Sequence, residues 1–142
     1  MKCTINFKLQ VGSFENKTMG LSVFNDTQTI FQNSMLSTGI NEIEFKIDLP
    51  FELKFVTSNR NKNDTKLDAD GKIIEDKFIS LESFILDDSI YVPGYKISKE
   101  YLYIQSEPDS NNVFWNKNST IIFNINKEDP ILWWLSRPEL FN

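Results

Sequence analysis

The sequence predicts an all-β protein: an antiparallel, jelly-roll-like β-sandwich closed by a short C-terminal helix. Three observations carry that reading. Apolar and polar residues alternate through several short stretches. Turn-forming residues separate those stretches at close intervals. Only the C-terminal segment abandons the two-residue period.

The elements follow in order. "CTINFKL" puts Cys3, Ile5, Phe7 and Leu9 on one face and Thr4, Asn6 and Lys8 on the other, as in a half-buried strand. Weaker strands are expected at 21–25 and 27–32, after the turn-rich "VGSFENKTMG". "NEIEFKID" sets Ile43, Phe45 and Ile47 against Glu42, Glu44, Lys46 and Asp48. "FELKFVT" repeats the pattern with Phe51, Leu53 and Phe55. A central strand at 77–86 alternates poorly, because Ile79, Leu81 and Ile85 compete with Phe78, Phe84 and Leu86. Two explanations fit: cover on both faces, or a β-bulge that shifts the register near Ser83. Short strands at 90–92, 101–105 and 119–125 complete the set, the last preceded by the polar loop "QSEPDSNNVFWNKNS".

"NKEDPILWWLSRPEL" reads as a helix at about 129–137, with Asp129 as N-cap, Pro130 at the first helical position and Pro138 as the stop. Two turns of helix do not hold together alone in water. Its apolar residues must pack on the sandwich, on another chain, or on both. Adjacent helical residues point about 100° apart, so one of Trp133 and Trp134 is expected to face outward. Ile131, Trp133, Trp134 and Leu135 are therefore the candidate partner interface.

No linker, repeat or composition shift divides the 142 residues, so residues 1–142 are expected to form one domain. The formal net charge of -5 would repel phosphate backbones, which argues against nucleic acid as a partner. Histidine is absent, which removes the usual general base near neutral pH and the commonest zinc ligand. Cys3 is the sole cysteine, so an internal disulfide is excluded, and its place in a strand suggests a small core residue. No glycine-rich phosphate loop occurs among five glycines. The expectation is a non-enzymatic protein. No run approaches the ~20 apolar residues of a membrane span. "MKCTINFKLQ" lacks the apolar stretch of a signal peptide, so synthesis in a cytoplasm is expected.

Two stretches invite a binding role. In "KLDADGKIIEDK", aligning Gly71 with the sixth position of an EF-hand loop puts Lys66 first and Lys77 twelfth. Cations where carboxylates are needed exclude that motif. Two readings remain: a structural hairpin, for which "ADG" supplies the turn, or an oxygen-rich calcium site built from Asp64, Asp68, Asp70 and Asp76. The aromatics Tyr91, Tyr95, Tyr101, Tyr103 and Trp115 suit either core packing or a sugar-stacking platform. On the platform reading, Tyr101, Tyr103 and Trp115 are the candidate carbohydrate residues.

The order "EFKIDLPFELKFVTSNRN…DADGKIIEDKFISLESFILDD", then "STIIFNI" and a closing "DPILWWL", resembles a group of small proteins of large tailed marine phages. The resemblance covers roughly residues 40–135. It rests on an acidic turn, a following strand that ends in an acidic pair, and a Pro-initiated Trp helix. Those proteins are similar in turn to calcium-dependent xylan-binding modules, which are β-sandwiches. The resemblance implies a virion structural or accessory protein, such as a capsid decoration, tail or baseplate component. Such a protein would dock onto other virion proteins, or onto itself in a symmetric oligomer, after synthesis in the host cytoplasm. The second function it implies is a carbohydrate-binding module for host attachment, with a glycan as partner. Calcium enters only with that second function, at Asp64, Asp68, Asp70 and Asp76; the first requires no cofactor.

Overall fold

The period-two stretches become strands of two five-stranded antiparallel sheets in the computed structural model, which describes residues 1–110 and 112–141. In the first sheet, β11 (Phe114–Trp115), β8 (Phe78–Leu86), β1 (Lys2–Gly12) and β4 (Gly39–Asp48) lie side by side, and β9 (Ile90–Pro93) also pairs with β8. The second sheet runs β10 (Leu102–Ile104), β12 (Thr120–Ile125), β5 (Phe51–Ser58), β2 (Gly20–Asn25) and β3 (Gln28–Asn33). A separate hairpin, β6 (Thr65–Leu67) and β7 (Ile73–Asp76), projects between β5 and β8 in the chain. The fold is thus the expected antiparallel β-sandwich with one short C-terminal helix.

Side chains that alternate inward from both sheets fill the core. Ile5, Phe7 and Leu9 of β1 are fully buried, as are Leu53 and Phe55 of β5 and Ile121 and Phe123 of β12. Phe7 occupies the centre. Its ring meets Phe55 and Phe123 of the facing sheet edge-on, with centroids 5.0 and 5.2 Å away, the arrangement aromatic quadrupoles favour. Cys3 belongs to this core, and burial pushes its thiol up to about 11.

The irregular strand resolves as a bulge. Lys8 of β1 faces Ser83 and Leu9 faces Leu81, which leaves Glu82 as the extra residue of β8. The inward parity changes across it: Ile79 and Leu81 are buried before Glu82, Phe84 and Leu86 after it. Double cover is not needed to explain the pattern. β11 lies in a loop where no strand was expected, since two residues carry no period; its Phe114 ring stacks on Phe78 at 5.1 Å.

The C-terminal helix is shorter than the expected 129–137. α1 spans Pro130–Leu135, and the chain then turns through a 3₁₀ segment, Pro138–Phe141. Asp129 caps it as expected, its Oδ1 accepting the Ile131 and Leu132 amides at 2.8 and 3.3 Å. Trp133 is corrected as an interface residue: it is fully buried, its ring 5.2 Å from Tyr101 and 6.1 Å from Phe84. Trp134 is half-buried, covered by the Phe141 ring at 4.7 Å. The outer face of α1 is made by Ile131, Leu132 and Leu135, each at least half exposed.

Candidate functional site

The outer edge of β8 has two partners in succession. Ile79 and Ser80 pair with Trp115 and Phe114 of β11, whereas Ser83–Leu86 pair with Ile90–Pro93 of β9. Between them the sheet forks. At the fork the Leu81 amide donates to the Val113 carbonyl at 2.7 Å, and Glu82 is the bulged, exposed residue. A bulge redirects a side chain, and here it releases Glu82 from the core.

The fork opens as a cleft of about 640 Å³. Its floor is Ser80–Glu82, one wall is Tyr91, Pro93, Gly94 and Tyr95, and Asn112 and Val113 form the other. Gly94 makes the first wall possible. A Cβ there would lie 2.7 Å from the Leu81 carbonyl oxygen, so only glycine lets the 3₁₀ turn Gly94–Lys96 come this close to β8. That turn raises Tyr95 to the rim, 86% exposed; Tyr91 stands beside it at 60%. The other wall is pinned. The Asn112 Nδ2 donates to the Leu102 and Ile97 carbonyls at 2.7 and 3.3 Å, and Trp115 Nε1 donates to the Asn112 carbonyl at 2.9 Å. Beyond Tyr95 lies an adjoining cleft lined by Lys96, Ser98, Glu100 and Glu139. Tyr95 is therefore a ridge between two depressions. A further cleft, at Val56, Thr57, Gln105 and Asn118–Thr120, offers short polar side chains and no aromatic face.

The expected platform of Tyr101, Tyr103 and Trp115 is corrected. Tyr101 and Trp115 are core residues, at 0% and 1% exposure. The Tyr101 hydroxyl donates to the Lys96 carbonyl at 3.1 Å, and burial pushes the phenol up to about 12. The Trp115 ring meets Phe55 edge-on at 5.8 Å. Tyr103 is half-buried on β10. The exposed pair is Tyr91 and Tyr95. The signal for Tyr95 lay in "YVPGYK", where Pro93 and Gly94 place the second tyrosine on a turn rather than a strand face.

The acidic stretch is a hairpin whose turn is the Asp68–Lys72 segment. Gly71 takes φ +82°, and Asp68 Oδ1 accepts the Asp70 and Lys72 amides at 2.8 and 2.9 Å. The four aspartates grouped from sequence do not converge. Asp64 meets Lys77, Asp76 meets Arg60, Asp68 closes its own turn, and Asp70 is exposed. Among the described residues no group of three or more such side chains is gathered in a way that could hold a metal ion.

Solved structures that share the fold include two of vCBM60. One is the selenomethionine form of vCBM60, described in connection with a circular permutation linking two families of calcium-dependent carbohydrate-binding modules. It is 11% identical, with 90% of this chain and 96% of that chain covered and a TM-score of 0.57. The other is vCBM60 in complex with galactobiose, 12% identical, covering 85% and 97%, with a TM-score of 0.52. No protein-family model and no curated protein matches the chain. The likeness establishes the fold, a sandwich of the kind seen in those modules. The residues of the acidic stretch do not fit a calcium site, because three of its four carboxylates already have internal partners.

Proposed function

We propose that the chain is a non-catalytic glycan-binding module whose ligand lies in the Tyr91–Tyr95 cleft. The observation that carries this reading is Tyr95, a large flat ring 86% exposed on the rim of a cleft in a sandwich otherwise full of buried aromatics. A tyrosine ring offers an apolar face to the C–H face of a pyranose and a hydroxyl at its edge. Around it stand the polar groups that fix a sugar's orientation: the Glu82 carboxylate and the Ser80 hydroxyl on the floor, and Lys96 and Ser98 beyond the ridge. The ligand is an uncharged glycan. Glu82, Glu100 and Glu139 border the two depressions of a chain with net charge -5, which disfavours uronates and sulfated sugars. The sugar-binding character of the structural neighbours supports the same reading.

Affinity electrophoresis through gels containing neutral polysaccharides, with galactobiose as a soluble competitor, is the test. Retardation is expected for the wild-type protein and its loss for Tyr95→Ala. Because Tyr95 is exposed, the melting temperature should not move. Retardation by none of the polysaccharides, or a Tyr95→Ala protein retarded like wild type, sinks the proposal. The docking role implied by the phage resemblance has one surface in its favour, the outer face of α1 with Ile131, Leu132 and Leu135.

A further inference from the structure

Asp64 lies just before β6 and Asp76 ends β7, so the two carboxylates mark the foot of the hairpin. Each is met by a cation from the same chain. Lys77 Nζ stands 3.1 Å from Asp64 Oδ2 and donates to the Asn59 carbonyl at 2.6 Å. Asp64 Oδ2 also accepts the Asn61 amide at 2.8 Å. The Arg60 guanidinium uses all three nitrogens: Nε to the Lys77 carbonyl at 2.7 Å, Nη1 to the Asn61 carbonyl at 2.7 Å, and Nη2 to Asp76 Oδ1 at 2.8 Å and Thr65 Oγ1 at 3.0 Å. The side chains of all four charged residues are between 7% and 13% exposed. Water therefore screens these pairs far less than it screens the surface pair Lys66–Glu75, at 3.8 Å.

The donor set resembles that of a hard cation: two carboxylates, a hydroxyl and three main-chain carbonyls. Calcium takes six to eight such oxygens. Here the oxygens point at an ammonium and a guanidinium instead. A divalent ion entering this site would have to expel Lys77 or Arg60 and leave it buried beside the ion. Separating a buried charge from its partner is strongly unfavourable.

We infer that Lys77 and Arg60 are the resident cations of the hairpin foot, so that this sandwich folds without calcium. The inference departs from the calcium dependence of the structural neighbours and does not rest on the glycan reading, because stability alone reads it out.

Thermal unfolding of the full chain in millimolar calcium and in EDTA is the experiment, paired with calorimetric titration of calcium. The expected result is one melting temperature in both solutions and no binding heat. A wild-type melting temperature several degrees higher in calcium, or a saturable calcium heat, overturns the inference. Lys77→Met and the double variant Lys77→Met/Asp64→Asn supply the second measurement. The single substitution should lower the melting temperature by about 10 °C, because it leaves Asp64 buried and unpaired. The double variant should recover part of that loss. A double variant no more stable than the single one also overturns the inference. If neither variant folds, the calcium comparison on the wild type decides alone.

Discussion

Asp64 shows how one side chain can tie stability to pH. The Asn61 amide, and then the Lys77 ammonium, hold its carboxyl below the ordinary value of 3.8, against the opposing effect of burial. A group whose pKa is depressed on folding stabilises the fold above its unfolded pKa, and that stabilisation is lost as pH falls through the folded value. The melting temperature is therefore expected to change little between pH 7 and 5 on account of this residue, and to fall below about pH 4. Asp64→Asn should be less stable than wild type at pH 7, and the gap should close as pH falls through the depressed folded pKa; parallel curves down into acid would show that Asp64 is not responsible. Very little of this was legible in the sequence. Asp64, Asp68, Asp70 and Asp76 look alike as letters, and only the fold gives three of them different partners and leaves Asp70 exposed. The same holds for the tyrosines. Tyr91 and Tyr95 were in view together with Tyr101, but whether a ring faces core or solvent depends on strand register, which a run such as "YLYIQ" leaves open.

At the scale of elements, strands with strict alternation were legible, because period-two burial is decided locally. β1, β4 and β5 all lie where the pattern put them. β8 was legible as an irregularity but not as a site, since the use of its bulge depends on β9 and β11 stopping on either side of Glu82. α1 was legible from its caps, while the division of labour on its surface was not. Trp133 plugs the core, and Leu132 on the outer face is 58% exposed. Trp133→Ala should cost about 3–5 kcal/mol in urea unfolding, the range for emptying a buried aromatic site. Leu132→Ser should change stability by no more than about 0.5 kcal/mol. If a partner covers this face, Leu132→Ser will lose the partner while keeping the stability. Equal costs for the two substitutions would mean that both sides of α1 are packed and no docking face exists.

The molecule as a whole is held together by pairings between distant parts of the chain. β1 is the central example: its two neighbours are β4 and β8, so the strand lies in the middle of its sheet and has no partner of its own among nearby residues. Sandwiches joined in this way fold in milliseconds to seconds, because long loops must close before the contacts that reward closure form. A chain cut after residue 76, which keeps β1 and β4 but lacks β8, is expected to show no cooperative thermal transition by circular dichroism; a cooperative transition in that fragment would refute the dependence. On the ribosome the same arrangement has a cost. Leu86 follows Gly12 by 74 positions, which takes roughly 4–15 s to translate. Throughout that interval β1 has no β8 beside it, so one long edge of the nascent strand keeps its backbone amides and carbonyls unpaired, the kind of edge at which a second chain can add.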